Sequence, residues 1–324
     1  MSRDTLPRQT LPIVEPTYVG LTTYDAKDPN AKFPPIERLL PPTGSPNVLI
    51  VLIDDAGFGS SSAFGGPCRT PVAEKLAAGG LKFNRFHTTA LCSPTRAALL
   101  SGRNHHSVNM GSITETATSA PGYTSQRPKN KAPLAEILKL NGYSTAQFGK
   151  CHEVPVWETS PVGPFDHWPS NSGFEYFYGF IAGECNQWYP TLFENLTPIE
   201  VDKTPEEGYH LVDDMTTKAI KWMRQQKALS PDQPFFMYFA PGATHAPHHV
   251  FPKWIEKNKG RFDMGWDKLR EETFARQKEL GVIPQDAVLT PRPAEIPAWD
   301  DMPEDMKAVL IREMEVYSAF MEYT

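Results

Sequence analysis

Cysteine is scarce in this chain. The four present, Cys68, Cys92, Cys151 and Cys185, are too few and too scattered over 324 residues for a disulfide scaffold. A reducing cytoplasm is therefore the expected compartment. Long apolar runs are also missing. The longest, Val48 to Ile53, is far too short to cross a bilayer, and the first residues (MSRDTLPRQTLP) lack the apolar core of a secretory leader. A membrane is accordingly not expected as a partner. Positive charge is not in excess either: the net charge is −6, which leaves no basic footprint and argues against nucleic acid. Internal repeats are absent. Proline is what the chain has in plenty, with 32 residues, roughly twice average usage, implying long stiffened loops over a regular frame.

Length allows one large α/β domain or two smaller ones. Residues 1–45 are proline-spaced and weakly periodic, and read as an extended arm; 46–324 read as one domain. The run Asn47 to Ile53 is continuous and β-branched, as expected for a strand buried on both faces of a parallel sheet. Helices are expected over Thr70 to Gly80, Pro133 to Asn141, Tyr209 to Lys227 and Asp305 to Tyr323, and strands over Leu81 to Thr89, Tyr143 to Phe148 and Pro234 to Ala240. Pro155 to Pro205 reads as an aromatic loop region with short strand-like pieces, and Lys253 to Pro303 as charged, proline-broken sequence. Strands alternating with helices predict an α/β fold with a largely parallel sheet.

Chemistry-bearing residues recur where a strand has just ended, the position where open α/β sheets bind ligands. Asp54 and Asp55 follow the first strand. They are either a solvated turn or a pair of oxygen ligands for a hard cation, Ca²⁺ ahead of Mg²⁺. Lys150 and His152 follow a later strand, and His245 follows another; each has an ordinary structural reading as loop edge or core histidine. Between them lies LCSPTRAALLSGR, residues 91–103. Pro94 and the helix formers Ala97 to Leu100, closed by Gly102, predict a short helix with Cys92 just before its start. There the unpaired N–H groups and the helix dipole favour an anion, and Arg96 lies one turn in on the same side. The bland alternative is a buried cysteine at an ordinary helix start. A C-x-P-x-R spacing arises by chance in on the order of one chain in a hundred of this length. Together these groups supply carboxylates for a metal, a modifiable nucleophile, and cations or donors for a sulfuryl or phosphoryl oxyanion.

The order Asp54-Asp55-x-Gly57, Cys92-Ser93-Pro94-x-Arg96, Gly142-Tyr143-x-Thr145 with Gly149-Lys150-x-His152, then Thr244-His245-x-Pro247, resembles the N-terminal and central part of an arylsulfatase. The resemblance runs from about Pro46 onward. It implies an alkaline-phosphatase-like α/β/α sandwich with a largely parallel central sheet. It also implies that Cys92 is oxidised to 3-oxoalanine by a formylglycine-generating enzyme, a partner of the chain. Carried over by residue, Asp54 and Asp55 would be Ca²⁺ ligands, and residue 92 both ligand and nucleophile. Arg96 would hold the aldehyde hydrate with His152 beside it, while Lys150 and His245 would grip the sulfate and aid leaving-group departure. A hydrated aldehyde has a second hydroxyl on the same carbon, an internal route for releasing sulfate. The expected substrate is a small sulfate ester, aryl esters foremost. Phosphonate or phosphate monoester hydrolysis is the alternative, and a non-catalytic product that at most binds an anion at Cys92 is a third reading. The resembling family completes its metal site with an Asp-Asn pair after a further strand and adds a second lysine. This chain has no Asp-Asn dipeptide after His245, so it reads as an N-terminal portion with the C-terminal part of the fold absent.

Overall fold

Apolar segments without helical period pair side by side. In a computed structural model describing residues 3–15, 17, 19–32 and 36–324, six strands form one sheet among the described residues. They are β1 (Val48–Val51), β2 (Ser144–Cys151), β3 (Tyr176–Ile181), β4 (Leu192–Glu194), β5 (Thr197–Ile199) and β6 (Phe235–Ala240). Their spatial order is β1-β6-β2-β3-β4-β5, parallel from β1 to β3 and antiparallel for β4 and β5. Register places Val48 opposite Phe236, and both Phe148 and Val51 opposite Phe239. The helices are α1 (Pro71–Gly79), α2 (Cys92–Ser101), α3 (Leu134–Lys139), α4 (Leu211–Leu229), α5 (Pro252–Asn258), α6 (Gly265–Glu279) and α7 (Glu304–Tyr323).

Strand periodicity sorts the core into two layers. From β6, Phe235, Met237 and Phe239 pack with Leu211, Met215, Ala219 and Trp222 of α4. The alternate residues Phe236, Tyr238 and Ala240 pack with Leu99 and Leu100 of α2 and with Leu134, Ala135 and Leu138 of α3. The result is an α/β/α sandwich. Gly149 lies where β2 runs close against β6: its φ is +99°, and a Cβ there would fall 2.0 Å from the Ala240 carbonyl oxygen. No other residue type fits that approach.

Four sequence expectations need correction. β1 is not buried on both faces: Val48 and Ile50 join the core beside α3, but Leu49 and Val51 are about half exposed, because β1 is an edge strand beyond the reach of α4. Residues 81–89 form no strand; Leu81, Phe83 and Phe86 are exposed and no strand of the described residues pairs with them. Lys150 does not follow its strand but lies inside β2, which extends to Cys151. Finally, the charged stretch after Lys253 contains α6, a helix that buries only Gly265 and Gln277 and so lacks an apolar stripe to announce it.

The arm expected over 1–45 falls partly outside the described residues. Its described part carries no helix or strand, and the Arg8 guanidinium donates to Leu40 O (2.7 Å) and Asn141 Oδ1 (3.0 Å). No described helix is long and apolar enough to cross a membrane.

Candidate active site

The carboxyl ends of β1, β2 and β6 meet the start of α2, and backbone hydrogen bonds lock the meeting point. Asp54 N–H donates to Ala243 O (2.8 Å) and Thr244 N–H donates to Asp54 O (2.7 Å), which ties the turn after β1 to the turn after β6. From α7, the Tyr317 hydroxyl donates to Asp55 O (2.7 Å). Asp55 sits at φ +51°, a left-handed conformation that aspartate tolerates better than most residues. The two neighbouring carboxylates end in different surroundings. Asp54 is 6% exposed, whereas the Asp55 side chain is 57% exposed.

Asp54 anchors a buried ionic group. Arg96 Nη2 donates to its Oδ1 at 3.0 Å, and Lys150 Nζ to its Oδ2 at 2.5 Å. Arg96 also donates from Nη1 to the Tyr238 hydroxyl (3.2 Å), and its Nε has no hydrogen-bond partner among the described residues. Burial pushes the Asp54 carboxyl up, but the Arg96 and Lys150 charges outweigh burial and hold it below the ordinary carboxylate range. Two cations against one carboxylate leave this floor with a positive balance, suited to an anionic ester.

Above the floor, Cys92 is the first residue of α2 rather than the residue before it, and His152 directly follows β2. Cys92 Sγ and His152 Nδ1 are 2.8 Å apart. The other ring nitrogen, Nε2, lies 2.9 and 2.8 Å from the two carboxylate oxygens of Glu115. Burial pushes the His152 imidazole down, aided by the Lys150 and Arg96 charges, and outweighs the Glu115 hydrogen bond that raises it. The ring is thus held neutral near pH 7.

Of the seven residues singled out in the sequence, Asp54, Cys92, Arg96, Lys150 and His152 form one contiguous group. Asp55 and His245 stand together at the rim. His245 donates from Nδ1 to Ala246 O (2.6 Å), and its Nε2 is 3.8 Å from Asp55 Oδ2. For a hard cation the donor set is short. Asp54 is already engaged by two cations, and among the described residues no three His, Cys, Asp or Glu side chains converge as a metal shell would. The site residues present do not fit a complete Ca²⁺ shell, which takes about six to eight oxygens.

Three contributors had no sequence signal. Glu115 lies on an exposed turn, Tyr238 reads as one aromatic in a core strand, and Glu153 as one acid after a strand. Behind the site, a cavity of about 40 Å³ is lined by Ala97, Arg127, Gln147, Cys151 and Glu153, among others. Glu153 Oε1 is buried there without a hydrogen-bond partner among the described residues, and burial pushes this carboxyl up.

Comparison with known proteins finds a family model and relatives that cover most of the chain. The family model described as Sulfatase matches residues 46–324. An uncharacterised sulfatase of Schizosaccharomyces pombe is 32% identical over 297 residues, covering 86% of this chain and 52% of that protein. The arylsulfatase of Klebsiella aerogenes is 27% identical over 286 residues, covering 85% and 59% respectively. The chain spans about half the length of the curated relatives it matches. The crystal structure of yidJ from Bacteroides fragilis superposes with a TM-score of 0.61 at 19% identity, over 86% of this chain and 56% of that one, a likeness that shows the fold alone.

Proposed function

The chain belongs to the sulfatase family, and from that premise we propose that it hydrolyses sulfate esters, aryl sulfates foremost, through residue 92. The observation that carries the reading is the contact between Cys92 Sγ and the neutral His152 ring (2.8 Å), set above the Arg96–Asp54–Lys150 floor. The Cys92 thiol stands where the oxygen of a 3-oxoalanine hydrate would sit. That modified side chain supplies a geminal diol, a nucleophile with its own internal exit for sulfate.

The chain's residues then divide the work. Arg96 and Lys150 place fixed positive charge under the ester, in surroundings where water does not screen it. The first turn of α2 adds the positive end of its dipole. His152, neutral and 4% exposed, is placed to take a proton from the group at residue 92 through a ring nitrogen. His245 at the rim is the proposed donor to the leaving oxygen. Asp54 and Asp55 would contribute oxygens to Ca²⁺, but because these residues do not complete its shell, no step here runs through the metal.

The test is to express the chain with a formylglycine-generating enzyme, read residue 92 by peptide mass spectrometry, and assay an aryl sulfate beside an aryl phosphonate. Conversion of Cys92 with turnover of the sulfate is expected, and Cys92→Ala should lower it by roughly 10³-fold or more, since no other residue supplies a geminal diol. Preferential phosphonate turnover would move the assignment to the other ester class. Unchanged activity in Cys92→Ala would sink the mechanism.

A further inference from the structure

We infer that Glu115 is a positioning residue that sets the tautomer of His152: its carboxylate takes the Nε2–H and leaves the Nδ1 lone pair facing residue 92. The argument is one of donor and acceptor counts. A neutral imidazole has one N–H and one lone pair. An ionised carboxylate only accepts, and both Glu115 oxygens lie within 2.9 Å of Nε2, so the proton belongs on Nε2. Nδ1 is then the acceptor, and the group 2.8 Å away at residue 92 must be the donor. The opposite tautomer would set a lone pair against a carboxylate and bar Nδ1 from taking a proton.

The surroundings hold the ring in that orientation. A Cβ on Gly183 would lie 2.7 Å from His152 Cε1, so the glycine backbone packs closely against the imidazole. Glu115 sits on the short turn Thr114–Thr116, where buried Thr114 donates its hydroxyl to Glu115 Oε2 at 3.3 Å. Glu115 itself is half exposed, with its side chain at 48%, and supports no core. A carboxylate held against the ring by a buried threonine does little for the fold and much for the proton's location. When Nδ1 takes the proton from residue 92, the imidazolium that forms already faces a negative charge on its far side.

The inference rests on the proposed hydrolysis only for its kinetic arm. The direct test is long-range ¹⁵N–¹H correlation of histidine-labelled, unmodified chain at neutral to mildly alkaline pH. The wild type and Glu115→Gln, whose amide oxygen still accepts, are expected to show His152 as the Nε2–H tautomer. Glu115→Ala should show a mixture or the Nδ1–H form. In enzyme carrying the oxidised residue 92, Glu115→Ala should lower kcat by roughly 10²-fold with KM within about twofold, and Glu115→Gln or added formate should recover most of it. A pure Nε2–H tautomer in Glu115→Ala would overturn the inference. If the tautomer shifts as expected but no form turns over sulfate, the positioning stands and the hydrolase reading falls.

Discussion

The floor and the rim of the site are built by opposite means. At the floor, Asp54, Arg96 and Lys150 are at most 6% exposed, and each charge is aimed at another. At the rim, the side chains of Asp55, Glu184 and His245 are 57%, 68% and 27% exposed, with separations of 3.8 to 4.0 Å. A buried ion loses its hydration and persists only with partners, so the floor is over-determined. Rim charges keep their water, and their arrangement costs the fold little. The floor is therefore coupled to stability, while the rim is free to serve a ligand.

The sharpest way to break this contrast is to remove one floor partner. Arg96→Ala strands Asp54 with a single cation, and should destabilise the chain by about 3–5 kcal/mol in urea or thermal unfolding. A loss under about 1 kcal/mol would mean that the floor is not a stabilising unit. Acid provides a gentler probe. The folded Asp54 value lies below the ordinary 3.8, so its stabilisation is present above that pH and disappears as pH falls through the folded value. Stability of the wild type should thus drop in that acid window, and Asp54→Asn should flatten the drop; an unchanged slope would put the titration elsewhere. The smallest effect belongs to the rim. His245→Gln should change stability by no more than about 0.5 kcal/mol, yet lower aryl sulfate turnover by roughly 10- to 100-fold in enzyme with oxidised residue 92. If stability moved with activity, rim and floor would be one unit.

The same contrast separates what could be read in advance from what could not. Strand–turn–helix order, the short helix just after Cys92 and the recurrence of reactive residues at strand ends are local properties, set by side-chain period, proline and glycine. They put Asp54, Lys150 and His152 after strands, and Cys92 and Arg96 at the start of a short helix. The exposed faces of Leu49 and Val51, the unpaired segment 81–89 and the stripe-less α6 escaped, because burial and pairing depend on neighbours distant in the chain.

The chain's order of residues by itself determined its membership in a fold class and the identity of five side chains that meet at one site. The tertiary structure alone decided how they are arranged. It turned Asp54 inward and left Asp55 in water, through one left-handed residue after β1. It brought Glu115, 37 residues before His152, against that ring. A hydrogen bond across such a distance leaves no period in the sequence, because both partners are held by elements whose packing, not whose spacing, sets the geometry.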